Sequence, residues 1–190
     1  MLRSQRRFDE AIAEAKKAHD LDPLDLIIYS DIGSGYRLAG RAADAVEVYS
    51  KIIEMDPNLA DVHFENGLAH VQLGHHETAL AEIKRGLLLS ENSTHIKAGL
   101  GIIYARAGKK ANAQNVIHEL IAESGQRYVS PLDIALIYSV MDEREKAFEW
   151  LDKAFTERTP WLIELNVNPD WEPIRDDPRF QEMLRKLNLQ

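Results

Sequence analysis

The sequence predicts an all-α protein of stacked helix pairs, and three observations predict it. Five alanines, Ala11, Ala45, Ala79, Ala113 and Ala147, recur every 34 residues. Gly33, Gly67 and Gly101 keep the same step, and Gly40, Gly74 and Gly108 follow seven residues behind them. Tyr36, His70, Tyr104 and Tyr138 mark a further register. Self-similarity at such a period belongs to repeat arrays, because two antiparallel helices of about 12 to 14 residues plus two short turns use it up.

The elements follow in order. Arg7 to Ile12 and Ala18 to Pro23 read as the second half of a partial repeat, 1–25, whose first helix is nearly absent; its helix starts at about Phe8. Complete repeats follow near 26–59, 60–93, 94–127 and 128–158. Between the helices of a pair the chain must stop turning within one residue, and glycine at 40, 74 and 108 reaches the left-handed cap conformation without a side-chain clash. Asp142 stands at that place in the fourth repeat. Asp22-Pro23 and Asp56-Pro57 form the turns between pairs, since proline disfavours helix in the residue before it and cannot continue the hydrogen-bond ladder. The recurring alanines sit on the second helices, where backbones approach closely. Asn92-Ser93-Thr94, although a glycosylation sequon in form, reads as a helix start.

After Glu157 the period ends and Trp161, Leu162, Leu165, Val167, Trp171, Ile174, Phe180, Met183, Leu184 and Leu187 crowd in. Residues 159–190 therefore read as a capping segment. Thr159-Pro160 and Asp177-Pro178 each place a helix-starting residue before a first-turn proline, which predicts a short helix near Trp161 and another from about Pro178 to Leu187. The tryptophans are expected to cover the exposed face of the last repeat. The whole chain is expected to form one unit, because repeats contact only their neighbours.

These registers resemble the tetratricopeptide repeat. In the copy from Leu26 to Leu59, Tyr29 takes the place of that family's tryptophan, and Ile32-Gly33, Tyr36, Gly40, Ala45, Tyr49 and Pro57 fall in register behind it. The resemblance implies a right-handed α–α superhelix whose first helices line a concave groove for a peptide or partner protein. Transferring the groove offsets gives Ile27, Ser30, Ser34 and Arg37, then Asp61, Phe64, Leu68 and Val71. His95, Ala98, Ile102 and Arg106 follow, then Val129, Leu132 and Leu136. Phe64, Leu68 and Val71 form one helical stripe that either receives an apolar partner or packs internally. Arg37 and Arg106 are placed to grip an acidic side chain. Some members clamp a peptide's terminal carboxylate with Lys, Asn and Arg, but the matching sites here hold Ser30, Ser34, Glu65, His95 and Gly99, and a glutamate repels a carboxylate. The tail from Trp161 to Leu187 resembles the segment closing repeat arrays in bacterial multidomain regulators. It implies the regulatory end of a larger bacterial signalling or transcription protein.

At the amino end the helix from Phe8 is expected to leave an apolar face open. The chain is then either part of a longer protein or paired with a second copy.

Composition narrows the chemistry. With 23 basic and 31 acidic residues the net charge is −8, which disfavours nucleic acid and anionic membrane as partners. The acidic run from Asp20 to Asp25 reads as solvated helix ends. The chain has no cysteine, hence no disulfide or thiolate metal site, and no apolar run of membrane-spanning length. A soluble cytoplasmic protein without cofactor follows. No catalytic motif holds: Gly33-Ser34-Gly35 lacks the third glycine of a dinucleotide loop, Gly108-Lys109-Lys110 lacks the rest of a phosphate loop, and His118-Glu119 lacks a second histidine. The chain reads as a non-enzyme. The one metal candidate is the cluster of His63, His70, His75 and His76 beside Glu77, since paired histidines with a carboxylate bind divalent metals.

Overall fold

The computed structural model describes residues 2–189, so the outer bounds of the expected array and cap, Met1 and Gln190, lie outside the described residues. Among those residues every regular element is helical. The chain divides into two compact units, the first ending at Asn92 and the second beginning at Ser93.

In the first unit a single 3-10 turn, Arg3–Gln5, precedes α1 (Phe8–Leu21). It stands where a full first helix would complete the pair. α2 (Leu26–Leu38) starts at Asp25, whose carboxylate accepts from the N–H groups of Ile27 and Ile28 at 2.9 and 3.1 Å. Such a cap satisfies two of the orphan donors of the first turn. α3 (Ala42–Met55), α4 (Ala60–Gln72) and α5 (His76–Leu89) follow, and each helix from α2 to α5 packs on the one before it. The turn glycines Gly40 and Gly74 have φ of +75° and +76°, and a Cβ there would meet nothing within 4 Å. Only backbone conformation selects glycine at these two places.

Gly33 is selected by space instead. A Cβ at Gly33 would lie 2.7 Å from the ring of Tyr49, which is fully buried on α3. Ala45 and Ala79 are likewise fully buried, where the second helices approach the first. Ala45→Leu should cost about 1–3 kcal/mol by overpacking; a urea unfolding midpoint equal to that of the parent chain would refute the close approach.

The second unit opens with α6 (Thr94–Arg106), capped by the Ser93 hydroxyl, which accepts from Ile96 N–H. α7 (Lys110–Glu123), α8 (Pro131–Val140) and α9 (Arg144–Thr156) complete two further pairs. α6 packs on α7 and α8, and α8 on α9. Asp142, at the place of the turn glycines, adopts φ +58°. Aspartate tolerates this left-handed conformation better than most residues.

The tail departs from expectation in two respects. The predicted helix near Trp161 is only a 3-10 turn, Leu162–Glu164. Thr159 does not cap it: its hydroxyl is buried without a hydrogen-bond partner, and Trp161 precedes the turn at φ +70°. Asp177 does cap α10 (Pro178–Lys186), accepting from Arg179 N–H. Between them a 3-10 segment, Pro169–Ile174, lies against α8, the place a following first helix would take. Trp171 on this segment is buried and inclined against Phe180 with ring centroids 6.0 Å apart. Trp161, by contrast, is 61% exposed, so only one of the two covers the last repeat.

Candidate functional site

The residues transferred to a groove separate into those that stay accessible and those that do not. On α2, Ile27 is 79% exposed and Ser30 and Ser34 are half-buried. On α4, Asp61 is exposed. Phe64, Leu68 and Val71 are only 6%, 6% and 7% exposed. The stripe is core: apolar side chains at helical spacing bury against neighbouring helices when a second layer of helices is present. In the second unit Ala98, Ile102, Val129 and Leu132 are buried for the same reason, while His95 and Arg106 are exposed and Leu136 is half-buried.

Neither arginine waits for an acidic partner. Arg37 Nε donates to Glu65 Oε2 at 2.7 Å, linking α2 to α4, and the arginine is 4% exposed. Tyr49 OH lies 3.5 Å from the same oxygen. Burial first, then the nearby Glu65 carboxylate, pushes the Tyr49 phenol well above its usual range, so it remains a neutral donor. Arg106 donates through Nε and Nη2 to Asp170 Oδ1 at 3.3 and 2.8 Å. Asp170 belongs to the Pro169–Ile174 segment, whose backbone carbonyl at the same residue accepts from Ser139 Oγ on α8 at 3.2 Å. The tail thus occupies the acid-binding position expected at Arg106. His95 is also spent on its own unit, its Nδ1 lying 3.0 Å from an Asp133 carboxylate oxygen.

The histidine cluster does not converge. His63 is buried with both ring nitrogens on oxygen acceptors of its own unit, Glu82 Oε2 at 2.6 Å and Pro57 O at 3.0 Å. His70 Nδ1 and His75 Nδ1 are 3.4 Å apart, one N–H serving the other's lone pair. Nδ1 of His76 is buried without a partner. Among the described residues no three His, Cys, Asp or Glu side chains are grouped to hold a metal ion.

Burial, and then the neighbouring His75, lower the pKa of His70 below its usual 6.5. The native state therefore takes up this proton less readily than the unfolded chain. Stability carried by neutral His70 is present above pH 6.5 and is lost as pH falls through the lowered native value. His70→Gln should flatten the decline of the urea midpoint between about pH 7.5 and pH 5.5. An unaltered pH profile would show that the pair does not titrate with folding.

Three features lie outside the sequence reading. Glu65 reads in sequence only as a repulsive groove residue, yet it is the half-buried partner of the buried Arg37; the separation of 28 residues carries no local signal. Asp170 is, in sequence, one of many acids in a capping tail. Leu21 and Leu24, placed among the solvated acids, are 88% and 80% exposed.

Helix pairs at a fixed period, with glycine between helices and alanine at their close approach, define a repeat scaffold. Residues 2–60 match the tetratricopeptide repeat family. Those residues carry tetratricopeptide repeats, and the helix pairs that follow keep the same architecture. It is 32% identical over 97 residues to an Hsp70-Hsp90 organizing protein from Triticum aestivum, an alignment covering 51% of this chain and 17% of that protein. The chain therefore spans about a sixth of that relative's length. Among solved structures, a thermophilic TPR protein from Thermus thermophilus superposes with a TM-score of 0.67 at 19% identity, over 94% of this chain and 91% of that one. YrrB, described as a TPR protein with an unusual peptide-binding site, gives 0.51 at 24% identity, over 86% and 84%. At these identities the structures show the fold alone, an α–α superhelix.

Proposed function

We propose that this chain is a non-catalytic protein-interaction scaffold that holds a partner segment on the first-helix face of its first unit. One observation carries the reading. Ile27 and Asp61 stay open and Ser30 and Ser34 partly so on α2 and α4, whereas Phe64, Leu68 and Val71 are buried. An exposed branched aliphatic among short hydroxyls and one carboxylate offers an apolar anchor with hydrogen-bonding neighbours, the composition of a peptide-binding surface. The likeness to an Hsp70-Hsp90 organizing protein and to a peptide-binding repeat protein supports the same class of role. A peptide's terminal carboxylate does not suit the site, because the clamp positions hold Ser30, Ser34, Glu65, His95 and Gly99, with no lysine or arginine among them, and Glu65 repels it. The tail supports a place at the regulatory end of a larger bacterial signalling or transcription protein in the cytoplasm. No helix among the described residues is long and apolar enough to cross a membrane.

A photo-crosslinking residue installed at Ser34 tests the face against one at Lys51, exposed on α3. Crosslinks in the source cell at Ser34 and not at Lys51 are expected. The reverse pattern would place the binding surface on the second helices and reject the proposal.

A second reading has its own observation. α1 buries only Ile12, and Leu2, Arg3, Ala11, Ala15 and Asp31 line a concavity of about 340 Å³ beside it. Self-association through α1 fits this face. A molar mass by light scattering that stays monomeric at every concentration would remove it.

A further inference from the structure

Leu21, Leu24 and Ile27 are 88%, 80% and 79% exposed, three large aliphatic side chains within seven residues around the Asp22-Pro23 turn. Single exposed aliphatics are ordinary on a protein surface; several together mark an interaction site. The turn also presents them on a stiff support. Pro23 fixes its own φ, Asp25 N–H donates to Asp22 O at 3.2 Å, and the Asp25 carboxylate caps α2. A preordered surface loses little entropy on binding.

Charge selects the occupant. From Ala18 to Tyr36 the chain carries Asp20, Asp22, Asp25 and Asp31 and no lysine or arginine. Asp31 is paired with Arg3, and Asp25 accepts two backbone N–H groups on one oxygen, Oδ1. Asp20 and Asp22 have no ion-pair partner in the described structure. The lysines that precede this stretch in sequence are engaged elsewhere, Lys17 with Glu14 and Lys16 over the Tyr36 ring at 5.3 Å. The α3 end of the same unit adds Glu54 and Asp56, while Lys51 pairs with Glu47. An apolar patch inside uncompensated carboxylates attracts a segment whose apolar side chains are flanked by Lys or Arg. A second copy of this chain would bring acid against acid, and an anionic lipid surface would be repelled in the same way.

We infer that Leu21, Leu24 and Ile27, with Asp20 and Asp22, form a docking site for a basic amphipathic protein segment. The site presupposes the scaffold role proposed above but extends it past the first-helix face to the turn between pairs. Failure of either shows in different positions, Leu24 here and Ser34 there.

The test uses the full chain and a labelled amphipathic Leu/Lys peptide, followed by fluorescence anisotropy. Saturable binding that weakens as salt is raised is expected, because salt screens exposed charges. The exposed double substitution Leu21→Ser and Leu24→Ser, which leaves Ile27 on the first-helix face in place, should with circular dichroism unchanged weaken binding by about tenfold or more. Asp20→Asn with Asp22→Asn should weaken it less and reduce the salt dependence. A Leu/Glu peptide binding equally well would overturn the charge selection. Undiminished affinity in the serine variant would overturn the site. Concentration-dependent dimers by light scattering that vanish in the same variant would assign the patch to self-association instead.

Discussion

Trp171→Ala should destabilise the second unit by about 3–5 kcal/mol, the range for truncating a fully buried aromatic. Trp171 is 2% exposed and stands on the Pro169–Ile174 segment between α8 and Phe180. Its loss leaves a cavity where the tail closes the last helix pair, and the surrounding helices relax only partly into it. The consequence reaches the site as well. Asp170 is the neighbouring residue, and its bonds to Arg106 and Ser139 depend on the segment being seated. All three tryptophans, Trp150, Trp161 and Trp171, lie in the second unit. Urea unfolding followed by the fluorescence of the two that remain reports that unit directly. A midpoint within error of the parent chain would mean that the tail is an ornament and not a cap.

Glu65→Ala should cost about 3 kcal/mol, the lower end of the range for breaking a buried ion pair, because the Glu65 side chain keeps 23% exposure. The cost comes mainly from what is left behind, a guanidinium inside the first unit without its carboxylate. Arg37→Met combined with Glu65→Leu should recover much of the loss, since replacing both charges with apolar groups of similar volume leaves no buried charge and only the Tyr49 hydroxyl without its long bond to Glu65. A double-mutant cycle in urea measures the coupling. If the double variant is less stable than Glu65→Ala, the pair contributes net stabilisation beyond mutual neutralisation and this account of it fails.

The fold was largely legible in the chain because the repeat writes each structural demand several times. Gly40, Gly74 and Gly108 each meet a left-handed turn, and Ala45, Ala79, Ala113 and Ala147 are each fully buried. Such demands are local or nearly so: one turn conformation, one close approach. The candidate site was legible only in part. Ile27, Ser30, Ser34 and Asp61 remain accessible, but Phe64, Leu68 and Val71 share the offsets of groove residues while serving as core. A side chain at a given helical offset has the same sequence signature whether the space beyond it holds solvent or another helix.

The sequence by itself determined the helix pairs, their turns, the caps at Ser93 and Asp177, and the choice of small residues where helices meet. These follow from backbone conformation and steric exclusion, which act over a few residues and repeat at a fixed step. Tertiary structure alone decided which charges are spent. Arg37 on Glu65 spans 28 positions and Arg106 on Asp170 spans 64. Coulomb attraction depends on distance in space and on burial, neither of which sequence separation encodes. The same reason left Leu21, Leu24 and Ile27 in the open. Their exposure is set by what does not pack over them.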